Sequence, residues 1–242
     1  ALDYLFMGAM RLGPAGAALG TTLAQAVSVI VSLAVIAKKH MLPLQKRDFR
    51  PCRAVMQKIL SIGVPVALQD GFIQVSFIII TIIANRRGLT DAAAVGIVEK
   101  VIGFLFLIPS SMLSSVSALG AQNIGAGRRD RAVLTLRYAI VLVSAIGLTL
   151  GALIQFIADP IVGLFTPDAA VIHAGGQYLR GYIWDSFFAG IHFSFSGYFC
   201  ACGRSGLSFL HNVIAIVLVR VPGAIFTSTR FPTTLLPMGL AT

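Results

Sequence analysis

Three carboxylates and a histidine stand inside stretches that are otherwise apolar. Asp70 lies in IGVPVALQDGFIQVSFIIITIIAN, Glu99 in AVGIVEKVIGFLFL, and Asp185 with His192 in GYIWDSFFAGIHFSFSGYF. An ionisable side chain in such surroundings is costly to hold and is usually turned toward a cavity or a partner. A carboxylate so placed can alternate between holding a proton or a sodium ion and pairing with a cationic substrate. Asp70 is the leading candidate, because Gln74 follows one turn later on the same helical face and Gln69 lies beside it. The plainer role for Asp70 is structural: satisfying the break made by Pro65, or bonding to a neighbouring helix.

Glu99 and Lys100 are adjacent, so on a helix they point in different directions and each needs its own partner. Glu99 is a second candidate cavity carboxylate, or an interhelical pair, whereas Lys100 can reach an interface by snorkelling. His192 follows Asp185 by about two turns and therefore sits on nearly the same face. The two can relay protons, since histidine titrates near neutral pH, or simply bond between helices. Arg220 precedes Pro222, which frees a carbonyl and kinks a helix. It reads as a structural anchor, bridging to a carboxylate or to a lipid phosphate. The aromatic residues Phe187, Phe188, Phe193, Phe195, Tyr198 and Phe199 can stack on a flat cation or pack against lipid and core. Cys52, Cys200 and Cys202 form no zinc-like set with the histidines and no disulfide framework. With no nucleophile triad, phosphate loop or dinucleotide fingerprint, the chain reads as neither an enzyme nor a cofactor protein.

The elements that must hold these residues are membrane helices. With 57% hydrophobic and 12% charged residues and a mean hydropathy of +0.87, the chain is too apolar for a soluble domain. Long unbroken apolar runs exclude the short alternating strands of a barrel. The net charge of +10 sits in short loops rather than on one soluble face, which argues against nucleic acid. Six apolar segments of spanning length are expected near 14–37, 59–85, 92–119, 136–158, 176–202 and 206–228. ALDYLFMGAM reads as the tail of an earlier span and LLPMGLAT as the start of a later one, so the chain is expected to be cut at both ends.

Loop charges orient the spans. Lys38, Lys39, Lys46, Arg47, Arg50, Arg53 and Lys58 crowd one loop, and Arg128, Arg129, Arg131 and Arg137 crowd the loop two spans later, so both are expected on the cytoplasmic side. Between Asp159 and Thr166-Pro167-Asp168 the pattern predicts a short interfacial helix, the alternative being an extension of the preceding span. In PSSMLSSVSALGAQNIGAGRRDR, from Pro109 to Arg131, small residues are expected to let a neighbouring backbone approach closely before Gly125 and Gly127 break the helix. LGPAGAALGTT at 12–22 and LLPMGLAT at 235–242 each carry Leu, a nearby Pro and Gly-x-Ala, a faint internal repeat of the kind from which transporters are built.

These repeat elements and the Pro109 to Arg131 stretch, with further motifs in the same order along the chain, resemble the multidrug and toxic compound extrusion (MATE) family of secondary transporters. The motifs are Ile62-Gly63-Val64-Pro65-Val66-Ala67-Leu68-Gln69, Ala121-Gln122-Asn123-Ile124-Gly125-Ala126-Gly127-Arg128, Leu164-Phe165-Thr166-Pro167-Asp168, Ser196-Gly197-Tyr198-Phe199 with Cys202-Gly203-Arg204, and Val219-Arg220-Val221-Pro222. The resemblance implies an all-α polytopic bundle of two six-helix lobes. Such a protein exports organic cations in exchange for sodium ions or protons by alternating access, from a multi-pass position in the cell membrane and as a monomer. On that mapping, 1–37 ends the first lobe, 38–58 is a cytoplasmic inter-lobe loop, and 59–242 is the second lobe with its last span incomplete. Some members carry a glutamate at the position aligned with Ile73 and an aspartate where this chain has Ala189, so the carboxylate has shifted by a turn to Asp70 or its role has changed. A lipid-linked oligosaccharide flippase, which shares this overall fold, is the alternative, and an inactive membrane scaffold is a third.

Overall fold

Helix after helix follows from the apolar runs, each stopped by proline, glycine or a charged loop. A computed structural model describes residues 4–9, 13–38 and 50–242, and no strand occurs among the described residues. The chain divides into two compact units, Ala1–Arg53 and Ala54–Thr242. In the first, a π turn at Tyr4–Ala9 precedes helix α1, Gly13–Lys38, which carries Pro14 in its first turn, where a missing N–H costs nothing. Of the expected 38–58 loop, residues 39–49, with Lys39, Lys46 and Arg47, lie outside the described residues. Its end is helix rather than loop: α2, Arg53–Arg87, starts just after Pro51, so polar residues such as Gln57 and Lys58 extend the span by more than a turn.

The second unit continues with α3 (Leu89–Leu105), α4 (Leu107–Gly125), α5 (Arg129–Gly163), α6 (Ala169–Ala201), α7 (Ser205–Ile214), a π turn (Ala215–Arg220), α8 (Val221–Arg230) and α9 (Leu236–Ala241). Two expected spans are composite. The 92–119 span breaks at Phe106, because Pro109 has no N–H for the carbonyl of Leu105; Phe106 N still reaches Ile102 O at 2.8 Å, and Ser110 N reaches Phe106 O at 3.1 Å. The 206–228 span passes through the π turn immediately before Pro222, the expected kink taking the form of a widened turn.

Among the described residues, five stretches are long and apolar enough to cross a membrane: Gly13–Ile36, Arg53–Arg87, Leu89–Gly125, Arg129–Gly163 and Ser205–Arg230. The expected span at 176–202 is the exception. Its helix α6 is long enough but carries Arg180, Asp185, Ser186, His192, Ser194 and Ser196. The physical reason is position: α6 packs against α3, α4, α5, α7 and α9, so most of its surface meets protein rather than lipid. Tyr178, Leu179, Tyr182 and Ile183 are wholly buried on it, while Val141, Leu148, Leu153 and Phe156 of α5 face outward. An apolar exterior around a partly polar inner helix is the arrangement expected when lipid replaces water outside.

α6 and α9 cross in backbone contact. A Cβ on Gly181 would meet the Leu236 carbonyl, and one on Gly239 would meet the Tyr178 carbonyl and the Tyr182 amide. The expected close approach to α4 is made by α6, but through the glycine rather than the serines: a Cβ on Gly120 would meet Ala201, and one on Gly197 of α6 would meet the Leu113 carbonyl. Ser110, Ser111, Ser114 and Ser115 are exposed, two of them bonding their own helix carbonyls, and the buried stripe is Pro109, Val116 and Gly120.

The expected interfacial helix is absent as a separate element. α5 runs on through Pro160 to Gly163, and only the Thr166-Pro167-Asp168 turn intervenes before Asp168 caps α6, accepting from Ala170 N at 2.8 Å and Val171 N at 3.3 Å. The ends of α4 and α6 share one geometry. Gly127 (φ 75°) and Gly203 (φ 71°) adopt the left-handed conformation, and the amide of the following arginine bonds the carbonyl five residues earlier, Arg128 to Asn123 and Arg204 to Phe199, at 2.8 Å each.

Candidate functional site

On α6, helical spacing brings Asp185, Phe188, Ala189 and His192 to one face, and that face forms a wall of a cavity of about 420 Å³. The opposite wall is the π turn, contributing Ala215, Ile216, Val219 and Arg220. Asn212 of α7, Phe106 at the α3–α4 break, Ile73 of α2 and the last residues of α9 complete it. Both backbone irregularities therefore lie on the cavity, which is where non-helical or widened backbone is tolerated at membrane depth.

Two opposite charges line this space. Arg220 is anchored from one side: its Nη2 donates to the Tyr182 hydroxyl at 2.7 Å, and its guanidinium carbon stands 4.5 Å from the centre of the Phe77 ring. Its Nε is buried without an acceptor. Asp185 accepts no hydrogen bond from any described residue, and the ion pairs among the described residues are Arg87–Asp91 and Arg180–Asp159. The cavity thus holds a carboxylate and a guanidinium that do not pair with each other.

His192 Nε2 meets Asn212 Nδ2 at 3.2 Å, and the Asn212 Oδ1 is buried without a donor. Behind it the His211 ring lies 4.0 Å from the His192 ring. His211 Nδ1 can only donate to the Leu207 carbonyl, at 2.9 Å, which in the neutral ring leaves Nε2 to accept from Ser196 Oγ at 3.3 Å. Trp184 also lines the cavity and lays its ring against Gly151.

The sequence candidates divide between this cavity and other places. Asp185, His192 and Arg220 meet at it. Arg220, expected to bridge to a carboxylate or lipid phosphate, instead has a phenol and an aryl ring as its partners. Gln69 is buried and is not among the cavity's lining residues, its Oε1 accepting from Ser208 Oγ at 2.7 Å. Asp70 and Gln74 lie on an exposed face of α2, while Ile73 lines the cavity. Glu99 is half-buried, accepting from Thr81 Oγ1 at 3.0 Å, and Lys100 is exposed, as their adjacency requires. Gly63 and Pro65 lie within α2, and Gln122 is exposed near the end of α4, where Asn123 Nδ2 bonds Leu119 O at 2.8 Å.

Three contributors escape the sequence reading. Asn212 is a lone amide in an apolar run, a signal of the same kind as Asp70; Trp184 gives no signal beyond adjoining Asp185. Arg87, a charge at the end of an apolar run like many others, joins Asp91 to the end of α8 and the α8–α9 loop.

The MatE family model matches residues 65–226. Among curated proteins, the probable multidrug resistance protein YpnP of Bacillus subtilis is 25% identical over 91% of this chain and 49% of its own length. The multidrug export protein MepA of Staphylococcus haemolyticus is 25% identical over 84% of this chain and 45% of its own length. The chain therefore spans about half the length of these relatives. Among solved structures, a mutant of the Vibrio cholerae MATE transporter VcmN superposes with a TM-score of 0.90 at 19% identity, covering 99% of this chain and 55% of that one. A Pyrococcus furiosus MOP superfamily transporter, for which reverse polarity of the binding pocket suggests a different function, superposes at 0.88 with 20% identity, covering 99% and 55%. By the family model, the helical architecture and the apolar spans together, the chain is a multi-pass membrane protein of the MATE family.

Proposed function

We propose that the chain forms the second lobe, and the end of the first, of a secondary transporter that exports small organic cations in exchange for sodium ions or protons. The observation that carries this reading is Asp185: a carboxylate without a hydrogen-bond or ion-pair partner among the described residues, on the wall of a cavity whose other surfaces include Trp184, Phe188 and Phe193. An organic cation entering the cavity is drawn to the carboxylate and to the aromatic faces. A sodium ion or proton arriving from the other side neutralises the same carboxylate and lowers the affinity for the drug. One acid serving two cations in turn makes binding competitive, and competition combined with alternating access yields antiport. The names of the relatives, multidrug resistance and multidrug export proteins, agree with cargo of this class.

Asp70 and Gln74, on the exposed face of α2, form a second candidate site for the coupling ion, and Glu99, held by Thr81, a third. The oligosaccharide-flippase alternative draws on Lys100, which is exposed and outside the cavity lining, and on Arg220, which is outweighed by the carboxylate in the same wall.

The test is efflux of ethidium from vesicles holding the transporter in its full native length, under imposed sodium and proton gradients, with Asp185→Asn and Asp70→Asn compared. Gradient-driven efflux lost in Asp185→Asn, with the protein still in the membrane, supports the reading. Loss only in Asp70→Asn moves the coupling to α2, and absence of efflux from the unaltered protein under both gradients overturns the proposal.

A further inference from the structure

His192 of α6 and His211 of α7 bring two imidazole rings to 4.0 Å, and of the two it is His192 that lines the cavity. What each ring nitrogen faces decides what the pair can do. His211 Nδ1 donates to the Leu207 carbonyl, a group that can only accept, so this nitrogen keeps its proton in every state. His211 Nε2 faces the Ser196 hydroxyl at 3.3 Å, and a hydroxyl either donates or accepts. His192 Nε2 faces the Asn212 side-chain amide at 3.2 Å. That amide donates N–H to a bare ring nitrogen or, turned over, accepts from a protonated one. The Asn212 oxygen is buried without a donor, so it is free to take the second role. Each nitrogen that can gain a proton therefore meets a partner that serves both of its states. A histidine locked in place by a fixed donor has no such freedom.

The surroundings set the charge the pair can carry. Two positive rings so close repel, so together they hold one proton rather than two. Asp185 and Arg220 share the cavity with His192, the arginine being anchored on Tyr182, and Cys200 follows two turns later on α6. α4, α7 and α9 carry no titratable side chain besides His211. On α2, Asp70 lies on the exposed face; on α3, Glu99 accepts from Thr81; on α5, Arg137 and Tyr138 are exposed and Asp159 pairs with Arg180.

We propose that His192 and His211 form a one-proton site separate from Asp185, with the proton on His192 Nε2 and the Asn212 amide turned to accept from it, and that the resulting charge weakens cation binding in the cavity. The proposal rests on the exporter reading for its cargo but not for its test, since binding requires no gradient. His192 follows Asp185 by about two turns, roughly 10 Å along the helix. A positive ring there opposes the cation that the carboxylate attracts. Acid then acts on the cargo at two places, by neutralising Asp185 and by charging His192, and the second action persists when the first is removed.

Ethidium, a permanent cation, is the probe, and its binding to the purified full-length transporter in detergent is read by fluorescence anisotropy. The measurement is made in Asp185→Asn, where the carboxylate no longer titrates. Affinity is expected to fall about tenfold between about pH 8 and about pH 4.5, as the imidazole charges. Adding His192→Gln should leave affinity level over the same range. Asn212→Asp sets a fixed anionic acceptor at the ring, holds the proton to higher pH and should move the midpoint of the fall upward. Asn212→Leu removes the acceptor and should move it downward, a shift in pH that lost packing alone does not produce. A readout independent of cargo is nuclear magnetic resonance of isotope-labelled histidine nitrogens in the protein with Asp185 intact, the two rings being identified through His192→Gln and His211→Gln. On acidification one imidazolium is expected, at His192, while His211 keeps its neutral Nδ1–H form. Affinity that stays level in Asp185→Asn, a fall that survives His192→Gln, or two rings both charged or both unchanged at the acid end would each overturn the inference. Where Asp185→Asn binds no ethidium, the resonance titration decides alone. Gradient-driven efflux beside a pair that does not titrate would sink this inference alone, and a titrating pair without efflux would sink the exporter reading alone.

Discussion

Arg87 donates from Nε to Asp91 Oδ2 at 2.7 Å, across the corner where α2 turns into α3. The same guanidinium bonds the carbonyls of Ser228 (2.9 Å) and Phe231 (3.1 Å) through Nη1, and those of Pro232 (3.0 Å) and Thr234 (3.1 Å) through Nη2. All five of its N–H groups are used, and its side chain is 7% exposed. A lysine has three donors on one atom and cannot span this set of acceptors. Arg87→Lys is expected to cost about 3 kcal/mol, through several lost bonds and carbonyls left without donors. The readout is the apparent melting temperature in detergent, which should fall by roughly 6–12 °C for a chain of this size. A change within about 1 °C would mean that the α8–α9 loop holds its place without the arginine.

The crossing of Gly181 with Gly239 predicts opposite outcomes for two glycine substitutions. Gly181→Ala places a methyl group against the backbone of α9 and should destabilise by about 1–3 kcal/mol, the usual cost of overpacking. Gly63→Ala meets nothing within 4 Å and should be neutral or stabilising by up to about 1 kcal/mol, because glycine is the poorer helix former. Thermal denaturation of the two variants side by side checks the sign. A loss in Gly63→Ala equal to that in Gly181→Ala would mean that something outside this unit covers the motif glycine.

Asp168 starts α6 by accepting two backbone amides. Asp168→Ala should cost about 1 kcal/mol, and Asp168→Asn, whose amide oxygen can still accept, only a few tenths. Hydrogen exchange at Ala170 and Val171 is the local measure, with faster exchange in the alanine variant alone as the expected result.

Asp185→Asn should separate stability from binding. No described residue donates to this carboxylate, so neutralising it removes an uncompensated charge rather than a bond. The apparent melting temperature is expected to stay level or rise, while affinity for organic cations drops about tenfold or more. A variant that melts several degrees lower would show that the carboxylate is a structural element after all.

The helical order was legible in the sequence because long apolar runs have few alternatives, and prolines and Gly-Arg ends mark where they stop. α6 was the hardest element to judge by apolarity, since a helix enclosed by its neighbours can carry Arg180, Asp185 and His192 without touching lipid. The serines of α4 misled for the converse reason: small residues permit close packing, but only the neighbours decide which face is used. Asp185 and His192 were legible as a pair because two helical turns place them on one face. That Arg220 and Asn212 join them was not, because the contact depends on how the α7–α8 segment packs on α6, and no local spacing encodes that. Asp70 shows the limit of reasoning from polarity in an apolar run, since the same argument applies to a cavity wall and to a face covered by something else.

Trp184 gives the cavity one further property. It is the single tryptophan in the 242 residues, and it sits beside Asp185 with its ring over Gly151. Indole emission from this chain therefore originates at one known point. An aromatic guest that stacks there should quench it, and a sodium ion or proton taken up by the neighbouring carboxylate should shift its wavelength. Within these 242 residues the cavity carries its own optical label, placed where occupancy changes, with no dye to attach.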